Sequence, residues 1–128
     1  MTRFLTSEWF EVRMTLVDDL PELPGASARL QHRVTEADGR VVPYYDVIEN
    51  GRLTASGLGM HPEPDVEIAM TVDDELALIR GHLDPVVGFL RGQIIVTGDQ
   101  NYALSLLPIL QTPQALAVQR MLDTLTEP

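Results

Sequence analysis

Between Ala28 and Thr71, apolar and polar residues exchange places at every second position in short stretches, a period that fits a sheet with one covered face. In the first stretch Ala28, Leu30, His32 and Val34 alternate with Arg29, Gln31 and Arg33. Glu36-Ala37-Asp38-Gly39-Arg40 supplies turn chemistry, and a second strand is expected from Val42 to Glu49. Asn50-Gly51 then marks a tight hairpin into a third strand over Arg52–Gly57. These three form an antiparallel meander. After a loop bracketed by Pro62 and Pro64, Val66, Ile68 and Met70 alternate with Glu67, Ala69 and Thr71 in a fourth strand.

Helical periods flank this region. Thr6 or Ser7 caps a helix reaching Val17, with Trp9, Val12 and Leu16 on one stripe, and Pro21, Pro24 and Gly25 end it. Beyond the fourth strand, Thr71 or Asp73 caps a helix that stops at Gly81, with Asp73, Asp74 and Glu75 in the first turn where the helix dipole favours acids. Asp84-Pro85 opens a short helix ending near Gly92. The β-branched run Ile94-Ile95-Val96 makes Gln93–Thr97 a fifth strand, closed by Gly98-Asp99. Tyr102, Leu106 and Leu107 then share a stripe that Pro108 kinks or ends, and after Thr112-Pro113 the last helix sets Val118, Met121, Leu122 and Leu125 on one face.

A chain of 128 residues, 45% of them hydrophobic, is long enough for one domain with a sizeable core. Nine Lys and Arg against 19 Asp and Glu leave a net charge of -10, the wrong sign for gathering phosphates, so no nucleic acid partner is expected. No basic cluster exists to dock on anionic headgroups, and no apolar run is long enough to span a bilayer. Stable membrane insertion is therefore not expected. With Glu8, Glu11 and Arg13 interrupting the apolar N-terminal stretch and no cysteine in the chain, a cytoplasmic location is expected. The missing cysteines remove thiolate catalysis and Cys-ligated metal. There is also no His-Glu pair at helical spacing, phosphate loop or nucleophile elbow, so no metal and no cofactor is expected.

The order of elements and the residues punctuating it resemble the sterol carrier protein type-2 family. The resemblance is carried by Asp65-Val66-Glu67-Ile68-Ala69-Met70, Asp73-Asp74-Glu75-Leu76, Gly81-His82-Leu83-Asp84-Pro85 and Gly92-Gln93-Ile94-Ile95-Val96-Thr97-Gly98-Asp99, with Asn50-Gly51 in the family's hairpin and Phe4-Leu5 before Trp9 like the opening of bacterial members. It covers about Trp9 to Leu110 of a single domain over 1–128, with a C-terminal helix at about 113–126. The resemblance implies an α+β fold, a five-stranded mainly antiparallel sheet with helices packed on one face, enclosing an apolar tunnel for a lipid, sterol, fatty acyl or similar hydrophobic metabolite. Burying some 300 Å² of such a ligand would contribute roughly 7 kcal/mol before entropic costs, enough for micromolar binding.

By periodicity the wall of that tunnel comprises Leu30, Val34, Ile48, Val66, Ile68 and Met70 from the sheet, joined by Leu76, Ile79, Phe89, Leu106, Leu110 and Met121 from the helices. Each is more simply explained as ordinary core, because a pocket lining and a core have the same composition. Two residues break the apolar face: His32 is in phase with Leu30 and Val34, and Asp46 with Tyr44 and Ile48. A first hairpin with a three- or five-residue loop and a pairing sum of 78 sets His32 opposite Asp46. Such a pair suits either of two roles. It could anchor the polar end of a carried ligand, or serve a small acid–base enzyme (isomerase, cyclase or hydrolase) with His32 as base, Asp46 orienting it and Tyr44 as donor. A buried structural pair is the plainer alternative. His61 and His82 are expected on exposed connections. A homodimer or a partner enzyme remains open.

Overall fold

The computed structural model describes residues 2–17, 25–99, 101–102 and 113–127. Chain order is β1 (Thr2–Arg3), α1 (Ser7–Val17), β2 (Ala28–Thr35), β3 (Val41–Glu49), β4 (Arg52–Leu58), β5 (Val66–Thr71), α2 (Val72–Ile79), α3 (Pro85–Leu90), β6 (Ile95–Gly98), α4 (Pro113–Leu125) and β7 (Thr126–Glu127). The five-stranded sheet runs β4-β3-β2-β5-β6 and is antiparallel except where β2 and β5 lie parallel. This is the α+β architecture that the family resemblance implies. The two-residue parallel pairing of β1 with β7, which joins the two ends of the described chain, was not visible in the pattern.

Local chemistry sets the boundaries. Thr6 Oγ1 accepts from Trp9 N at 3.3 Å at the start of α1, and Thr71 and Asp84 cap α2 and α3 through their side chains. Asn50 and Gly51, at φ 52° and 82°, make the left-handed turn between β3 and β4. The first hairpin departs from its expected register. Glu36 N donates to Arg40 O at 2.8 Å, which closes a loop of Ala37, Asp38 and Gly39, with Gly39 at φ 88°. The pairing sum is thus 76, with His32 opposite Tyr44 and Leu30 opposite Asp46, and not the 78 that would have set His32 against Asp46. The difference is even, so every side chain keeps its expected face.

That face carries two apolar clusters. One gathers Phe4, Leu5, Trp9, Phe10, Val34, Tyr44, Leu76 and Leu122 under α1, α2 and α4. The other consists of Ala26, Ala28, Leu30 and Val66, with Ile48, Ile68 and Val96 against it, and among the described residues it is built from strands and the segment entering β2. On the opposite face Gln31 is also fully buried: its side-chain amide donates to Tyr44 O and Gly59 O and accepts from His61 N at 2.7 Å. His61 is consequently partly covered and lies edge-on to Tyr45, contrary to the exposure expected of it, whereas His82 is exposed.

Trp9 is the keystone of the first cluster. Its ring meets Phe4 and Phe10 edge-to-face, both at 5.0 Å, and its Nε1 donates to Thr126 Oγ1 at 2.9 Å. Trp9→Ala is expected to destabilise the fold by about 3–5 kcal/mol in urea denaturation, since it removes a fully buried aromatic and the hydrogen bond that Thr126 accepts from it. A loss below about 1 kcal/mol would place the organising contacts elsewhere.

Candidate functional site

Between the two clusters runs a belt of polar side chains contributed by five elements. Asp46 on β3 lies opposite Ser56 on β4 because a bulge, with register shifting between Val47 and Ile48, accommodates Thr54 as the extra residue. Ser56 Oγ donates to Asp46 Oδ1 at 2.6 Å. Arg13, one turn beyond Trp9 on α1, reaches down and donates to both carboxylate oxygens, at 2.7 and 2.9 Å. Its guanidinium also sits 5.7 Å from the Trp9 ring. His32 Nε2 is 3.1 Å from Asp46 Oδ2, within ion-pair reach but without an aligned hydrogen bond.

The belt continues through Tyr44. The His32 ring stacks on the Tyr44 ring, 4.2 Å between centroids and 5° from parallel, while the Tyr44 hydroxyl donates to Glu75 Oε1 on α2. Glu75 is 7% exposed and its Oε2 has no hydrogen-bond partner. His32 is 8% exposed, and among the described residues neither ring nitrogen makes an aligned hydrogen bond.

Charge follows from this geometry. Burial opposes the Asp46 carboxylate, but Arg13 and His32 together outweigh it and hold the acid far below the usual carboxylate range. Burial likewise opposes the Arg13 cation and Asp46 more than restores it. Glu75 has no such partner. Burial raises its pKa, Asp46 adds to this, and His32, Tyr44 and Arg13 only partly offset it. Burial, followed by Glu75 and Asp46, pushes the Tyr44 phenol well above its ordinary value.

The structure therefore brings His32, Asp46 and Tyr44 together but assigns them different partners from those a catalytic set would need. Asp46 is held by Arg13 and Ser56, and the Tyr44 hydroxyl donates its hydrogen bond to Glu75. Arg13, Ser56 and Glu75 were missed as site residues, although Arg13 falls four residues after Trp9 and Glu75 four before Ile79, in phase with apolar stripes. Among the described residues no group of His, Asp and Glu could hold a metal ion.

The expected tunnel wall divides. Leu30, Val34, Val66, Met70 and Leu76 are buried, and Ile48, Ile68 and Ile79 are partly buried against one cluster or the other. Phe89 and Met121 are corrected: they are 40% and 54% exposed, because α3 projects Phe89 outward and α4 buries Leu122 in place of its neighbour. Leu106, Leu107 and Leu110 lie outside the described residues, so the stripe expected after Tyr102 is not described either. A groove of about 420 Å³ opens between α1 and β4, with Phe10, Met14, Ser56 and Leu58 in its lining, and another of about 370 Å³ lies beside Phe4, Glu36 and Val72. Neither is lined by the expected wall.

Fold and site together define an α+β domain with a helix-covered, largely apolar sheet face crossed by one buried polar belt. The family model of the SCP-2 sterol transfer family matches residues 15–111, and the chain belongs to that family. Solved structures share the fold. Sterol carrier protein 2 from Yarrowia lipolytica in its apo form is 18% identical, with 80% of this chain and 92% of that one covered and a TM-score of 0.63. A crystal structure of sterol carrier protein 2 is 15% identical over 94% and 97% of the two chains, with a TM-score of 0.68. The palmitated sterol carrier protein 2-like 2 of Aedes aegypti is 20% identical over 82% and 90%, with a TM-score of 0.62. No curated protein matches the chain in sequence.

Two outcomes check the electrostatics. Arg13→Met strands a buried carboxylate and is expected to cost about 3–5 kcal/mol in urea denaturation, whereas Arg13→Met with Asp46→Leu should recover much of it. Equal loss in both would deny the pair its coupling. Because the folded pKa of Glu75 is raised, its protonated form contributes stability fully below the ordinary glutamate pKa, and that contribution fades as pH rises through the raised value. The Tm of the wild type should therefore fall relative to Glu75→Gln as pH climbs across that window, and a constant difference would contradict the shift.

Proposed function

We propose that this protein binds and carries a hydrophobic small molecule of the lipid, sterol or fatty acyl kind, held against the helix-covered face of its sheet. The observation that carries the reading is the second apolar cluster. Leu30, Ile48, Val66 and Ile68 lie side by side on three adjacent strands, and together with Ala26 and Ala28 they form a hydrocarbon cluster, largely withdrawn from water, on the side where the helices pack. An alkyl or ring system laid on it would leave water with little loss of polar contacts. Membership of the SCP-2 sterol transfer family supports a hydrophobic ligand, and the palmitated state of the Aedes aegypti relative supports an acyl chain among the candidates.

The belt favours carriage over the acid–base alternative. A general base needs an orienting acid free to take up the developing imidazolium charge, and the carboxylate nearest His32 already serves an arginine and a serine. Delivery to a membrane would be by contact rather than insertion, since among the described residues no helix is long and apolar enough to cross one. Self-association or a partner enzyme is compatible with this role.

Titration with a fluorescent sterol and with a fluorescent fatty acyl probe tests the proposal, saturation by either one supporting it. Saturable binding at one site with micromolar affinity is expected, together with a copurified apolar molecule in native mass spectra of protein from its own source. Absence of saturable binding across fatty acyl and sterol probes would overturn it.

A further inference from the structure

Two polar side chains in the belt are more than nine-tenths buried, each keeps a polar atom without a hydrogen bond among the described residues, and they flank the same residue. His32 stacks on the ring of Tyr44, with Nε2 near Asp46 and Nδ1 without a hydrogen bond, and Glu75 Oε1 accepts a hydrogen bond from the hydroxyl of that tyrosine while its Oε2 has none. A buried polar atom without a partner costs about as much as a lost hydrogen bond, so two at one place call for a complement. Among the described residues the neighbouring donors are committed elsewhere: Arg13 and Ser56 to Asp46, and the Tyr44 hydroxyl to Glu75.

We propose that His32 and Glu75 form the head-group reader of the ligand site and select a neutral hydroxyl over a carboxylate. It rests on the carrier reading and adds the polar end to it. A hydroxyl can accept from an imidazole N–H and donate to Glu75 Oε2 at once, the combination these two groups lack. A carboxylate head has no proton to give. It would also bring a third acid beside Asp46 and Glu75 in a buried site with a single committed arginine, where like charges are weakly screened. Leu30, Val66 and Ile68 continue the sheet face next to His32, so a head at His32 leaves its tail on hydrocarbon.

The test is displacement of 1-aminoanthracene from the purified protein by 1-decanol and by decanoate at neutral pH. The wild type should bind decanol roughly tenfold or more tightly than decanoate, the factor expected for about one well-made hydrogen bond. His32→Phe, which keeps the stack on Tyr44, and Glu75→Met should each lower decanol affinity about tenfold while leaving the dye within about twofold. Equal or tighter binding of decanoate by the wild type overturns the proposal without any variant. Parallel loss of dye and decanol in both variants overturns it too, by showing a merely structural role. Failure of the wild type to bind the dye or either competitor would instead defeat the carrier reading beneath it.

Discussion

A guanidinium pressed between an indole ring and a buried carboxylate decides how the helices of this protein meet its sheet. Arg13 lies on the same stripe of α1 as Trp9, so the helix cannot rotate to expose the arginine without also withdrawing the tryptophan. Asp46 holds the other end from the middle of β3. Removing two charges from water costs several kcal/mol each, so an apolar pair of equal volume would stabilise the protein as well or better. What the ion pair adds is direction. It ties one helix to one point of the sheet, where greasy contacts alone would allow neighbouring settings.

That anchoring explains why the sheet face is divided along its length. The cluster around Trp9, Val34, Tyr44 and Leu76 is crossed by three helices and holds the chain together, whereas the cluster around Ala28, Leu30 and Val66 is built from strands among the described residues. The belt of Asp46, Ser56, His32, Tyr44 and Glu75 lies between them. Under the carrier reading this division matters, because close-packed interiors transmit strain. A guest seated on one half would be separated by a hydrogen-bonded seam from the half that stabilises the fold.

Much of the fold was legible in the sequence for a simple reason: period and punctuation report backbone geometry directly. The alternation through β2 and β5, Asn50-Gly51, Thr71 and Asp84-Pro85 each name a local structure that tertiary packing did not override. Register was misread at the first hairpin because Gly39 takes the left-handed position that ends a three-residue loop, which puts the closing pair at Glu36 and Arg40, one residue before the position assumed. Faces survived that error and partners did not. The parallel contact of β1 with β7 had no signal to read, since two residues are too few to show a period.

The candidate site was legible only in fragments, and the reason is geometric. Periodicity tells which stripe of an element is covered but not how far the element is turned about its axis or slid along its neighbour. His32 and Asp46 stood out because a strand has only two faces and both residues broke the apolar one. Arg13 and Glu75 broke apolar stripes as well, yet a helix offers charged residues an ordinary exposed flank, and Glu75 also suited the acid-favouring first turn of α2. Each anomaly alone has a bland explanation. Four of them from α1, β2, β3 and α2 converging on one buried spot, two of them with a polar atom left without a hydrogen bond among the described residues, do not, and that convergence could emerge only once the strands and helices had been placed against one another.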